Sequence, residues 1–297
     1  MTTIAITGAS GNLGRLTAEL LLDQVDPSSV VLLTRTASKL DDLAAKGAIV
    51  READFDDPAT VEAALAGVDK ALFVSTDTVG TRVAQQTAAV EAAKRAGVKH
   101  VVYTSAPLTS ADNPAIATQE HFHTEEAIKA TGLAYTFLRN NLYSEFQIAP
   151  GAGAVASGTI YSNKGDGATA YVTRVDCAAA AAAVLAGGTE HENVAYEISG
   201  SEALTDTQVA ELLTEVTGKP VEVVKVDDAG LTGGLEAAGL PPFIIPVLVT
   251  FGIAARESLL SHVSTAVADL TGKQPTTLRE VLTAAKDELL SPAPAAH

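Results

Sequence analysis

Three glycines set three residues apart, Gly8, Gly11 and Gly14, are the first residues whose type and spacing suggest chemistry. They stand in residues 2–15, TTIAITGASGNLGR, with Ala9, Ser10, Asn12 and Leu13 between them. A β-branched apolar run (Thr3, Ile4, Ile6, Thr7) stops at Gly8, and Leu13, Leu16, Leu20 and Leu21 then follow a helical period. The stretch reads as strand, tight turn, helix. Such a helix points unpaired backbone N–H groups and the positive end of its dipole out of the turn, which suits a phosphate. The glycines permit positive φ and let a pyrophosphate approach the backbone with no Cβ in the way. A bare glycine-rich turn has the same letters, so its partners decide.

Residues 29–35 (SVVLLTR) form the second apolar run, and it ends in Arg35, with Lys39 one helical turn further on. Dinucleotide sites that take NAD carry an acidic residue there for the ribose hydroxyls. An arginine instead matches the 2′-phosphate of NADPH in a charge-assisted pair. A solvated arginine on a loop is the plainer alternative, and the glycine turn weighs against it. Asp54 follows the third strand, where its carboxylate suits an adenine amino group and Phe55 the face of the ring; a cap or Asx-turn is the alternative. Ser75, Thr76 and Asp77 close the fourth strand along the expected ribose, or form a polar turn. Ser105, closing the fifth, completes these candidates.

The elements that must position these residues are legible as continuous apolar runs alternating with helical patterns. Residues 48–52, 70–75, 99–105 and 133–138 continue the strands. Helices fall between them, including 81–96 closed by Gly97 and 116–131 ended by Gly132. Continuous apolar runs mean burial on both faces, as in a parallel sheet. Six strands alternating with helices predict a doubly wound α/β fold of the Rossmann type, with the ligand crevice at the strands' C-terminal ends. Past Pro150 the glycines at 151, 153, 158, 165 and 167 break up short segments. Strands are expected at 159–162, 168–172, 194–198 and 221–226, and helices at 174–186 (with Thr173 as N-cap) and 206–217. The remainder from Ala229 is mostly helical, with a frayed proline-rich end at 291–297. Residues 1–150 are thus the expected nucleotide-binding core, and 151–297 a smaller C-terminal α/β lobe that does not fold alone.

Composition narrows the partners. The chain has 297 residues, 47% hydrophobic and 19% charged, which excludes disorder. A net charge of −16 repels nucleic acid and anionic lipid, so an anionic ligand needs a local positive site. One cysteine, Cys177, permits no disulfide within the chain. No charged leader precedes the first strand, so a cytoplasmic protein is expected. Residues 240–255 (LPPFIIPVLVTFGIAA) are apolar but short for a membrane span and interrupted by Pro241, Pro242, Pro246 and Gly252. They read as a buried or pocket-facing segment. Neither a membrane nor a nucleic-acid partner is expected, and monomer and homodimer both stay open.

The combination TGASGNLG, VVLLTR, ADFDD, KHVVYTS and TFLRNNLYSE resembles the NmrA-like group of atypical short-chain dehydrogenases/reductases. Within it, the chain is similar to type-2 NAD(P)H:quinone oxidoreductases and triphenylmethane reductases. The resemblance implies NADPH (NADP) as cofactor, without flavin or metal. It implies that the nucleotide lies on the residues from Gly8 to Leu13, on Arg35, and on Ser75, Thr76 and Asp77. The nicotinamide half would lie against Asn140, Asn141, Leu142, Tyr143, Ser144 and Glu145, with one contact from the lobe at Tyr171.

One departure concerns the reaction. Ordinary short-chain dehydrogenases protonate a carbonyl with a tyrosine whose pKa is lowered by a lysine four residues on. The matching helix here has His121 and Glu125. Their spacing puts them on one face, so a pair is conceivable in which the carboxylate raises the histidine's affinity for its proton. A merely structural ion pair is the alternative. A metal site of His121, His123 and Glu125 lacks a further ligand, and His123 points elsewhere on the helix. Without the tyrosine–lysine pair, reduction of an unactivated ketone is disfavoured. Quinones and cationic triarylmethyl dyes accept hydride readily, because the product regains aromaticity or loses charge, and they ask the protein mainly for proximity. Tyr143 and Asn141 would stack on or hydrogen-bond such a flat acceptor, unless Tyr143 only anchors the loop. Phe243, Ile244, Ile245, Leu248 and Phe251 are candidate apolar walls, and core packing or a dimer contact explains the same pattern equally well. The reading is an NADPH-dependent reductase of a small quinone-like aromatic acceptor, with Tyr143, Asn141 and His121 as candidate catalytic residues. A triphenylmethane-dye reductase and a non-catalytic nucleotide sensor are the alternatives.

Overall fold

A computed structural model describes residues 2–291, so the proline-rich end expected to fray lies outside the described residues except for Ser291. The chain runs β1 (Ile4–Ile6), α1 (Asn12–Leu22), β2 (Val30–Thr34), α2 (Asp41–Ala44), β3 (Ile49–Glu52), α3 (Pro58–Ala64), β4 (Lys70–Phe73) and α4 (Arg82–Ala96). It continues through β5 (His100–Ser105), α5 (Ile116–Ala130), β6 (Ala134–Asn140), α6 (Ile148–Ser157), β7 (Thr159–Ser162), β8 (Ala168–Thr169), α7 (Arg174–Ala186) and β9 (Val194–Ile198). Last come β10 (Leu204–Thr205), α8 (Asp206–Thr217), β11 (Glu222–Lys225), α9 (Asp228–Ala237), α10 (Ile245–Arg256), α11 (Ala266–Thr271), α12 (Leu278–Ala284) and α13 (Lys286–Leu290).

Seven strands form one sheet in the order β3-β2-β1-β4-β5-β6-β9, and every pair in it is parallel. Successive strand residues point to opposite faces. Ile4, Ile6, Leu32 and Leu72 therefore join one core with α1 and α7, while Ala5, Val31, Leu33 and Phe73 join another with α3, α4 and α5. The order in which strands are added reverses between β1 and β4, which places the crevice where the glycine turn begins.

The expected boundary at residue 150 does not divide this core. The seventh strand, β9, and the helix α7 both come from beyond it. The alanine-rich face of α7 (Ala178, Ala181, Ala182) lies in the same cluster as Leu21 and Ala18 of α1. Side chains this small let the two helices approach closely, which is the physical use of the alanines. Helix α6 likewise stands where the glycines past Pro150 were expected to break up the chain. Pro150 falls in its first turn, where a missing N–H costs little. Gly151 serves close packing, since a Cβ there would lie 3.0 Å from Leu289 and 3.1 Å from Leu213. Strand β8 stops at Thr169 because the next residues turn to other partners: Ala170 N–H donates to the Leu260 carbonyl and Val172 N–H to that of Leu142.

In the lobe, α6, α8, α12 and α13 enclose a separate apolar cluster beside the parallel pair β7–β11. The apolar segment 240–255 becomes the tip of the α9–α10 hairpin and helix α10. Ile245, Val247 and Ala254 are buried, whereas Phe243 is 75% exposed. No helix among the described residues is long and apolar enough to cross a membrane.

At the opposite end of the sheet from the crevice, Lys70 opens β4 and is only 6% exposed. Its Nζ donates to the carbonyls of Gly187 (2.8 Å) and Val184 (3.2 Å), closing the C-terminal end of α7. Burial lowers its pKa, with the Glu190 and Glu192 charges opposing the shift. Replacing it with methionine removes the donors but keeps the stem. Lys70→Met is expected to lower the unfolding free energy by about 2 kcal/mol in urea; an unchanged midpoint would contradict this role.

Candidate active site

The turn after β1 is built by two glycines that no other residue replaces without strain. Gly8 has φ +60°, and its carbonyl accepts from Gly11 N–H at 2.9 Å. A Cβ on Gly14 would stand 2.3 Å from that same oxygen. Ala9 N–H donates to the Leu33 carbonyl at 3.0 Å, which fixes the turn against the end of β2. Gly11 caps α1 without a side-chain acceptor, and the first turn holds no acidic residue. The N–H groups of Ser10, Asn12 and Leu13 consequently have no acceptor among the described residues. Unpartnered donors at a helix N-terminus are chemically suited to an anion.

At the end of β2, Arg35 and Lys39 are both exposed. Of the nine arginines in the chain, Arg35 alone makes no hydrogen bond, ion pair or stacking contact with the described residues. A bare guanidinium is conspicuous in a chain of net charge −16. Asp54 forms an Asx-turn: Oδ1 accepts from Asp56 N–H at 3.1 Å, while its own N–H donates to Thr60 Oγ1. Phe55 is half-buried against Phe73, with ring centroids 5.9 Å apart. Ser75 is held by Thr104, whose Oγ1 accepts from Ser75 N–H at 2.8 Å and donates to Ser75 Oγ at 3.2 Å. Thr76 Oγ1 bonds Thr78 Oγ1, and Asp77 is exposed.

The pairing considered for His121 and Glu125 is not formed. Glu125 is fully buried and takes a bidentate fork from Arg139 (2.7 and 2.9 Å) together with the Ser105 hydroxyl at 2.6 Å. Arg139 also donates to Glu197 Oε1, and Glu197 Oε2 accepts from Leu108 N–H. His121 faces Arg82 instead, accepting from it at Nε2 (3.0 Å), which leaves the ring proton on Nδ1 to be donated to Tyr103 Oη at 2.7 Å. Burial and then the Arg82 charge hold this histidine well below its ordinary pKa. That corrects the expectation of a carboxylate-charged acid, because two elements packed across α5 supply the partners that helical spacing alone assigned within it. His123 is exposed, and no three metal-binding side chains cluster among the described residues. Arg82 and Arg139 escaped the sequence reading; a lone arginine ending the apolar strand β6 was the available signal, since a charge there demands a partner.

The segment after β6 has divided roles. Asn141 is turned inward, donating from Nδ2 to the Leu260 carbonyl (2.9 Å) and accepting Leu142 N–H at Oδ1, so it locks the loop to the lobe rather than facing an acceptor. Leu142 packs into the lobe, and Glu145 caps α7 by accepting Arg174 N–H at 2.9 Å. Tyr171 also points away from the crevice; its ring lies in the lobe core and its hydroxyl accepts from Lys164 Nζ at 3.0 Å. Two buried polar atoms remain without partners, Asn140 Oδ1 and Ser144 Oγ. Tyr143 lies between them in sequence, with the Arg174 guanidinium 4.9 Å from its ring centroid. Asn140 Nδ2 donates to its hydroxyl at 3.4 Å, so the phenolic proton is free. Burial, then the Cys177 thiol, raise the phenol's pKa, so it stays protonated. Under the α9–α10 tip, Leu240, Pro242, Ile245 and Pro246 line a groove of about 370 Å³ with Thr232 and Glu236.

The sequence profile of the NmrA-like family matches residues 1–236. Quinone oxidoreductase 2 of Escherichia coli (strain K12) is 40% identical over 278 residues, 93% of this chain and 96% of its own. NAD(P)H azoreductase of Xenophilus azovorans is 28% identical over 277 residues, with the same shares covered. Among solved structures, the NADPH-dependent quinone oxidoreductase of Escherichia coli complexed with NADPH superposes with a TM-score of 0.90 at 38% identity, covering 95% of this chain and 99% of that one. Triphenylmethane reductase of Citrobacter sp. complexed with NADP(H) gives 0.87 at 34% identity, with the same coverage.

The neutral histidines make stability sensitive to acid. Besides His121, His100 is pushed down to about 4, by burial first and then by the Lys70 charge. Below pH 6.5 the unfolded chain takes up protons that the folded chain refuses, so stability falls as pH drops from there toward 4. Each histidine contributes a slope of about 1.4 kcal/mol per pH unit. Urea unfolding of His121→Gln is expected to lose one proton's worth of this slope between pH 6.5 and 5; an unchanged slope would contradict the neutral assignment.

Proposed function

The chain belongs to the NmrA-like family, and from that premise we propose that it is an NADPH-dependent oxidoreductase passing hydride to a quinone-like aromatic acceptor. The observation that carries the reading is the juxtaposition of two groups unsatisfied among the described residues: a helix N-terminus with bare N–H donors and, at the next strand end, the one uncommitted arginine. Together they suit a pyrophosphate and, on the far side of the ribose, a 2′-phosphate. When bound, the reduced nicotinamide supplies the hydride.

The chain's own residues then do the positioning. The N–H groups of Ser10, Asn12 and Leu13 hold the pyrophosphate, while Arg35 and Lys39 face the 2′-phosphate. Asn140 Oδ1 and Ser144 Oγ, an acceptor and a donor, suit a carboxamide, and each is costly to leave buried without a partner. Tyr143 keeps its proton on Oη and offers it to an oxygen of the acceptor as negative charge develops there. Phe251 of α10 is half-buried against the same apolar cluster as Leu142, the residue before Tyr143, and is the candidate for apolar surface toward the acceptor. No tyrosine–lysine pair stands on α5 to drive a reluctant carbonyl, which supports an acceptor that is itself reactive. A cytoplasmic setting, where NADPH is at hand, fits this role.

The test is turnover by the purified protein with NADPH or NADH against a panel of quinones and cationic dyes. NADPH-dependent reduction of quinones is expected. In Arg35→Ala the NADPH/NADH ratio of kcat/KM should fall roughly 30-fold, the loss of about 2 kcal/mol from one charge-assisted contact. An unchanged ratio would remove Arg35 from the site. Tight nucleotide binding with no turnover of any acceptor would leave a nucleotide sensor instead.

A further inference from the structure

Arg15 is the fourth residue of α1 and takes no part in the glycine motif, yet its guanidinium spans the corner where Arg35 and Lys39 stand. Nη1 donates to the Lys39 carbonyl at 3.2 Å, Nη2 pairs with the Asp42 carboxylate, and Nε pairs with Glu19 at 3.1 Å. The fork thus ties the helix that presents the bare N–H groups to the turn that carries the two free cations. Each of its three nitrogens is engaged within the protein, on the Lys39 carbonyl and on the two carboxylates. Helix α2 opens with two carboxylates, Asp41 and Asp42, at the end of that same turn. A dianionic group arriving beside Arg35 would meet their field, and only Asp42 has a cationic partner among the described residues.

We infer that Arg15 is a positioning residue for cofactor selectivity: it fixes the backbone at Lys39 and neutralises Asp42, so that Arg35 and Lys39 face a 2′-phosphate with one opposing carboxylate fewer. The inference rests on the NADPH reading of the site. A plain staple between α1 and α2 makes a different demand. Losing a staple would weaken NADPH and NADH alike, since both share the pyrophosphate turn, whereas losing the neutralising charge penalises only the cofactor that bears the extra phosphate.

The experiment is calorimetric titration of NADPH and NADH into the wild type, Arg15→Gln, Asp42→Asn and the double variant, at low salt. Arg15→Gln is expected to weaken NADPH by about tenfold and NADH by less than about twofold, a size set by one partly screened charge near the surface. Adding Asp42→Asn should recover most of that loss, because the carboxylate that needed neutralising is gone, and Asp42→Asn alone should not weaken NADPH. Equal weakening of both cofactors, or a double variant no better than Arg15→Gln, overturns the inference. A wild type that prefers NADPH while Arg15→Gln keeps the full preference sinks the inference and spares the NADPH reading. A wild type that binds both cofactors alike sinks the two together.

Discussion

Helix α1 begins so near the end of β1 that a methyl group at Gly14 would lie 2.3 Å from the Gly8 carbonyl oxygen and 2.8 Å from its carbon. This contact determines much of the rest. It holds the start of the helix, with the unpartnered N–H groups of Ser10, Asn12 and Leu13, close against the strand end. The apolar face of α1 is then pressed against α7, whose alanines accept the close approach. The turn also reaches the neighbouring strand through Ala9 and Leu33, and that neighbour ends in Arg35. Opening the contact by even one methyl would cost about 1–3 kcal/mol in overpacking and would scatter the donors.

A second constraint organises the other half of the crevice. The chain Ser105–Glu125–Arg139–Glu197–Leu108 links β5, α5, β6, β9 and the loop after β5 through buried or half-buried charges. Removing one member of such a pair leaves a charge stranded in low dielectric, which is far worse than never having had it. Leu108 is held in the left-handed region, φ 45°, with its N–H on Glu197 and its carbonyl accepting from Asn113. The helix position that holds a lysine in tyrosine-dependent relatives therefore holds the sheet end together here, and His121 is sealed as a neutral ring. Chemistry falls to positioning, which suits an acceptor that needs little activation.

What was legible in the sequence was local. The glycine turn, the place of Arg35 just past β2, the Gly97 cap (φ 88°), the Thr173 cap with its bond from Asp176 N–H, and the span of α8 all follow from patterns within a few residues. What was not legible depended on partners far along the chain. Spacing of four placed His121 and Glu125 on one face of α5 but could not say that Arg82 and Arg139 wait across it. Asn141 carries no mark that its amide meets the Leu260 carbonyl. Gly151 looked like a break because sequence does not tell a glycine chosen for a turn from one chosen for closeness to Leu289 and Leu213. The strand β9 was visible, but not that it would close the edge of the main sheet, since a strand's neighbour is a tertiary fact.

The central claim is that this crevice holds NADPH in one orientation and passes its hydride on. It is tested most directly by running quinone reduction to completion with NADPH carrying deuterium on one or the other face of nicotinamide C4, then weighing the oxidised nucleotide. The account expects deuterium to be lost wholly from one face and retained wholly from the other. Oxidised nucleotide that has lost label from both faces, or no oxidised nucleotide at all, would contradict it.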